Sequence, residues 1–159
     1  MRDEKNREAD RVTRQADQQA ATKLKEEERL FTERKLAYAS FIAVVNKVIH
    51  IVPIQENVKE LLPLLKELNT AHSIAVLLGP STSKTSLDNI RETANTILSY
   101  AYRIVSGKDD EEAKEQLNPT RDILKENLAE LLLMMKEDLG VADSKVSSDF
   151  QEKPLQGTP

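Results

Sequence analysis

Apolar residues recur along this chain at the three- and four-residue spacing of helices, and the longest such run lies at 24–53. Leu24, Phe31, Tyr38, Val45 and Val52 repeat every seven residues, and Leu30, Ala37, Val44 and Ile51 form a second seven-residue series. Phe41, Ile42, Val48 and Ile49 widen these into an arc broader than a two-stranded seam, so the pattern predicts a helix with more than one neighbour. Its other face holds Ala39, Ser40, Ala43, Asn46, Lys47 and His50, small or polar residues suited to water. Pro53 ends it, because proline offers no N–H and disfavours the α conformation in the residue before it. The β-branched residues of 44–52 are compatible with a strand, but period seven sustained over four turns outweighs that reading.

Leu61, Leu64, Leu68, Ala71, Ala75 and Leu78 place a second helix at about 60–78. Pro63 belongs in its first turn, and Gly79 followed by Pro80 reads as a left-handed cap and a residue that cannot continue. Leu87, Ile90, Ala94, Ile97, Ala101 and Ile104 give a third helix, opened by a Thr85–Asp88 capping box and closed by Gly107. The pair Asn118-Pro119 reads as the start of a fourth, a cap residue with proline at the first helical position. Leu124, Leu128, Leu131 and Met135 form its stripe, Gly140 its end, and the acidic stretch 108–117 before it has room for a helical turn. Asp122 and Lys136 suit the helix dipole, whereas Glu137 and Asp138 oppose it.

Residues 1–29 are polar, with scattered Ala and Val, mixed charge and no Gly or Pro, which predicts a solvated helical extension. Residues 141–159 show no period and are expected to be disordered. Four amphipathic segments cannot hide their stripes singly. The fold expected is therefore all-α, an antiparallel four-helix bundle over 30–140 with a long N-terminal helical extension. A first helix continuous to Pro53 is roughly 80 Å long, against about 30 Å for the bundle.

A chain that is 31% charged and 39% apolar, with only four glycines, agrees with helices. The net charge of -4 supplies no overall field for nucleic acid, and the absence of cysteine excludes disulfides, thiolate metal sites and a thiol nucleophile. The charged start shows no signal peptide, and 38–54 is broken by Asn46, Lys47, His50 and Pro53 short of the roughly 20 apolar residues of a span. A cytoplasmic protein without a transmembrane segment is expected.

Candidate chemistry is sparse. The run from Gly79 to Thr85 imitates a phosphate loop, but its second glycine is replaced by Ser83 at the wrong interval, so it reads as a helix–helix turn. His50 lies on a polar face, and His72, at the edge of the second apolar stripe, reads as a hydrogen-bonded, half-buried imidazole. Neither follows a glutamate at the spacing of di-iron bundles, since Lys47 and Asn69 stand there. The clusters at 26–28 and 109–112 have no apolar surroundings to tune a carboxylate. Arg2, Lys5, Arg7, Arg11 and Arg14 are interleaved with Asp3, Glu4, Glu8 and Asp10, which cancels a phosphate- or lipid-binding field. No catalytic residue, cofactor or metal is expected, nor a nucleic-acid partner. What remains is a protein contact, with another protein or with self, at Leu24, Leu30, Phe31, Arg34 and Tyr38, where the first helix leaves the bundle; packing of Leu24, Leu30 and Phe31 against the end of the bundle fits the same pattern.

The run Glu33-Arg-Lys-Leu-Ala-Tyr-Ala-Ser-Phe41, together with Val76-Leu-Leu-Gly-Pro80 and Glu137-Asp-Leu-Gly140, resembles a group of small helical proteins of actinobacteria and their phages. Members often carry a membrane span ahead of a charged helix and a bundle, so the resemblance implies that residues 1–35 are a stalk, without that span in this chain. The group has no established activity to carry over. The reading is a non-enzymatic interaction or scaffold protein of bacterial or phage origin, self-associating or docking through its N-terminal helix. The alternative is a phage-encoded regulator that binds and inhibits one host protein, and hydrolysis of a nucleotide at the Gly79 turn is the third.

Overall fold

Four α-helices and two short 3-10 turns make up residues 2–107 and 110–140, which a computed structural model describes, with side chains from Arg7 onward except at position 9. No strand occurs among the described residues. The tail expected to be disordered, 141–159, lies outside them.

Helix α1, Arg2–Ile49, runs unbroken for 48 residues because nothing in it punctuates a helix. Its buried positions begin at Ala37 and continue through Tyr38, Phe41, Ile42, Val44, Val45, Val48 and Ile49, while Ser40, Ala43, Lys47 and His50 face water as their polarity predicts. The helix ends four residues before Pro53. There the His50 N–H donates to the Asn46 carbonyl at 3.2 Å, and His50 Nδ1 lies 2.9 Å from the same oxygen. Ile51 is buried while Val52 is 55% exposed, so the seven-residue series beginning at Leu24 lapses once the chain leaves the helix.

A 3-10 turn, Gln55–Asn57, leads into α2, Val58–Leu78. The helix starts earlier than the apolar pattern alone predicts, which puts Pro63 at its sixth position and leaves the Lys59 carbonyl without an i+4 donor. Pro63 is on the exposed side, where water can replace that donor. Gly79 corrects a second expectation. It is extended (φ -79°, ψ 165°) and makes no left-handed cap. Glycine is needed there because a Cβ would stand 2.7 Å from the Ala75 carbonyl and 2.7 Å from the Tyr38 hydroxyl. Left-handed glycines follow the last two helices of the chain, Gly107 at φ 77° and Gly140 at φ 61°.

After the turn Ser81–Ser83, α3 spans Lys84–Val105 with Ser83 at its N-cap, and no side-chain cap forms. The Thr85–Asp88 capping box is absent because the helix is capped two residues earlier, at Ser83, and Asp88 pairs with His72 across helices. Helix α4, Glu111–Asp138, overturns the Asn118-Pro119 start. Its cap is Asp110, eight residues upstream, whose carboxylate accepts the Ala113 N–H at 3.0 Å. The reason is tertiary: Ala113 and Leu117 are buried in the core, and Arg103 holds Asp110 through Nε at 2.6 Å and Nη2 at 3.0 Å. Asn118 accepts instead from Arg121, which also donates to the Ile51 carbonyl beyond the end of α1. Burial holds the Arg121 guanidinium below its ordinary pKa.

The helices share one core. α1 packs on α2, α3 and α4, α2 on α3, and α3 on α4. Phe41, Leu68, Ile90, Ile97, Leu124 and Leu131 are fully enclosed, each contributing about 1.5–3 kcal/mol by leaving water. The segment Gln55–Leu78 is long and apolar enough to cross a membrane by length and composition. In this fold Leu61, Leu64, Leu68, Ala71, His72 and Ala75 of that segment lie in the core.

Candidate interaction surface

Where α1 emerges from the core, three distant parts of the chain converge on it. Arg34 Nε donates to the Leu78 carbonyl at the end of α2 (2.8 Å), and its Nη1 reaches both oxygens of Asp138 at the end of α4 (3.3 and 3.4 Å). One guanidinium thus meets the carbonyl end of one helix and a carboxylate at the carbonyl end of another, both of which attract a cation. The mismatch of Asp138 with its own helix dipole is offset by this arginine from 104 residues away. That mismatch, and its place in the run 137–140, are the signals for Asp138 in the sequence.

One turn further in, Tyr38 is 1% exposed, its hydroxyl at 3.4 Å from Ser83 Oγ and 3.5 Å from Asp138 Oδ2. Burial raises the phenol above its ordinary pKa; the Ser83 contact opposes the shift, and the negative Asp138 adds to it. Ser83 donates to the Pro80 carbonyl at 2.9 Å, which closes the turn between α2 and α3. Tyr38, Ser83, Thr82, Met134 and Asp138 line a cleft of about 390 Å³ whose polar groups bond chiefly to one another. The three segments 33–41, 76–80 and 137–140 therefore meet at one end of the core, as a clasp around α1.

The five residues expected to contact a partner divide at this clasp. Leu24, Leu30 and Phe31 are 58%, 43% and 43% exposed on α1. Arg34 is half-buried and engaged within the chain, and Tyr38 is corrected from contact residue to core residue, since it faces the α2–α3 turn and the end of α4. Every described side chain in 7–33 is exposed, Val12 among them. Apolar exposure at Leu36, Ile74 and Leu77 escaped the sequence reading, because period alone does not tell which side of a stripe its neighbours cover.

Elsewhere the polar groups have structural partners. His72 is buried between α2 and α3 with Nε2 2.8 Å from Asp88 Oδ1 and its ring 6.0 Å from that of Phe41, close to the bonded imidazole expected. Arg103 reaches Glu112 as well as Asp110, and those two hydrogen bonds raise its pKa. Two open grooves of about 740 and 530 Å³ follow the α1–α2 boundary, sharing Lys47, Pro63 and Glu67. Among the described residues no cluster of three or more His, Asp or Glu side chains is placed to hold a metal. No protein-family model, curated protein or solved structure matches the chain.

Proposed function

We propose that this chain is a non-enzymatic helical interaction protein, an antiparallel four-helix bundle whose α1 continues as an N-terminal docking helix. Cross-helix contacts support the antiparallel order: Arg34 with Leu78 and Lys47 with Glu67 join α1 to α2, His72 with Asp88 joins α2 to α3, and Ser86 with Met134 joins α3 to α4. Between α1 and α2 the partner's number falls as the residue number rises, from Arg34 with Leu78 to Lys47 with Glu67; His72 late in α2 meets Asp88 early in α3, and Ser86 early in α3 meets Met134 late in α4.

The observation that carries the reading is the stretch 7–33, a helix with Val12, Leu24, Leu30 and Phe31 in water and a clasp fixing its base. At 48 residues α1 is about 72 Å long. An isolated single helix gains little stability from propensity alone, so apolar side chains on it gain most from a covering partner. The test is a Leu24→Glu/Phe31→Glu variant compared with the parent chain for self-association and for retention of a protein partner. Both residues are exposed, so the thermal transition should be unchanged while association falls at least tenfold. A variant that associates as well as the parent in both assays refutes the docking role.

A further inference from the structure

Successive residues of a helix turn by about 100°. Val12, Ala16, Ala20, Leu24 and Phe31 then fall within one arc of about 120°, in phase with Tyr38, Phe41 and Val45, which pack into the core. The face of α1 that the other helices cover in the body continues bare beyond the clasp. Along it, after Val12, the small residues Ala16 and Ala20 precede the large ones, Leu24 and Phe31. A parallel pair of such helices would set Phe31 on Phe31 and leave the alanines apart.

Charge also separates the two orientations. An antiparallel partner centred on Ala20 sets Arg14 level with Glu26 and Asp17 level with Lys23, with Arg11 and Arg29 the one like pair, whereas a parallel partner in register sets every charge level with its like.

We propose that this stretch pairs with the same stretch of a second copy, antiparallel about a two-fold axis at Ala20; the inference rests on the docking role proposed above. In this register Leu24 lies against the partner's Ala16, and Phe31 comes level with position 9, an alanine in the sequence. Large residues fill the space small ones leave, and the backbones approach closely. The partner's Arg7 comes level with Glu33, one residue short of Arg34, where the clasp closes over the helix. The register thus uses the bare face up to the body without meeting it. Lys23 and Glu27 interrupt the arc, which makes the pairing modest and reversible.

Because the chain has no cysteine, an introduced thiol reports only the contact it was placed to probe. Light scattering of the full chain should show twice the 17.9 kDa chain mass at about 100 µM and dissociation toward monomer at about 1 µM. Under mild oxidation, a mixture of the Ala16→Cys and Leu24→Cys chains should cross-link, while each alone does not, since positions 16 and 24 are about 12 Å apart along the axis, beyond disulfide reach. Self-cross-linking of each single variant with no gain on mixing would overturn the antiparallel register. A monomer at about 100 µM that still loses a different protein partner on Leu24→Glu/Phe31→Glu overturns the self-pairing and leaves the docking role standing. A chain that neither pairs nor responds to those substitutions overturns both.

Discussion

Replacing Arg34 by alanine removes a side chain that joins the ends of both α2 and α4 to α1. Its hydrogen bond to the Leu78 carbonyl comes from a charged donor, worth about 1.5–3 kcal/mol. The ion pair with Asp138, whose side chains are 31% and 19% exposed, is partly screened and adds about 0.5–1 kcal/mol. Asp138 would then face the carbonyl end of its own helix uncompensated, at about 0.3–1 kcal/mol. These contributions share atoms and do not add fully, so the expected loss is about 2–3 kcal/mol. Arg34→Lys keeps the charge, but one ammonium cannot serve Leu78 and Asp138 in the same geometry, so about half the loss should remain. Asp138→Asn relieves the dipole mismatch and leaves the Leu78 bond, so it should cost under about 1 kcal/mol. Urea unfolding followed by far-UV circular dichroism measures each as a shift in midpoint at constant slope. A loss below about 0.5 kcal/mol for Arg34→Ala would show that the contact is an ordinary surface pair and that the ends of α2 and α4 are held against α1 by something else.

Three further outcomes follow from particular residues. Pro119 sits at the ninth position of α4 and deprives the Glu115 carbonyl of a donor, so Pro119→Ala should stabilise the chain by about 1 kcal/mol or more; destabilisation in the same urea assay would place the helix start at Asn118 after all. His72→Ala removes a buried hydrogen bond and a ring contact and should cost about 2 kcal/mol, and a loss within experimental error of zero would show the pair to be idle. Tyr38, with its folded-state pKa raised, contributes stability that is fully present below the unfolded value near pH 10 and is lost as pH rises through the folded one. The urea midpoint should therefore fall less steeply for Tyr38→Phe than for the parent between about pH 9 and 11, and parallel profiles would contradict the assignment.

Local spacing alone determined the helices and most of their faces. The all-α content, the polar flank of α1 at Ser40, Ala43, Lys47 and His50, and the stops at Gly107 and Gly140 all follow from relations among residues a few positions apart. The apolar residues Leu24, Leu30 and Phe31 were legible as part of the stripe, but their exposure follows from where the other helices end. Tertiary structure alone decided what depends on residues far apart in the chain. Asp110 outcompeted Asn118 as a cap because Arg103 and the burial of Ala113 and Leu117 favour the longer α4. Gly79 is required by the Tyr38 hydroxyl and the Ala75 carbonyl beside it, a steric demand with no trace in the local pattern. Tyr38 belongs to the same seven-residue series as Leu24 and Phe31, and Arg34 stands on the same helix between Phe31 and Tyr38. Whether a position in that run is core, clasp or open surface depends on which helix ends come to rest beside it, and a period carries no record of where its neighbours stop.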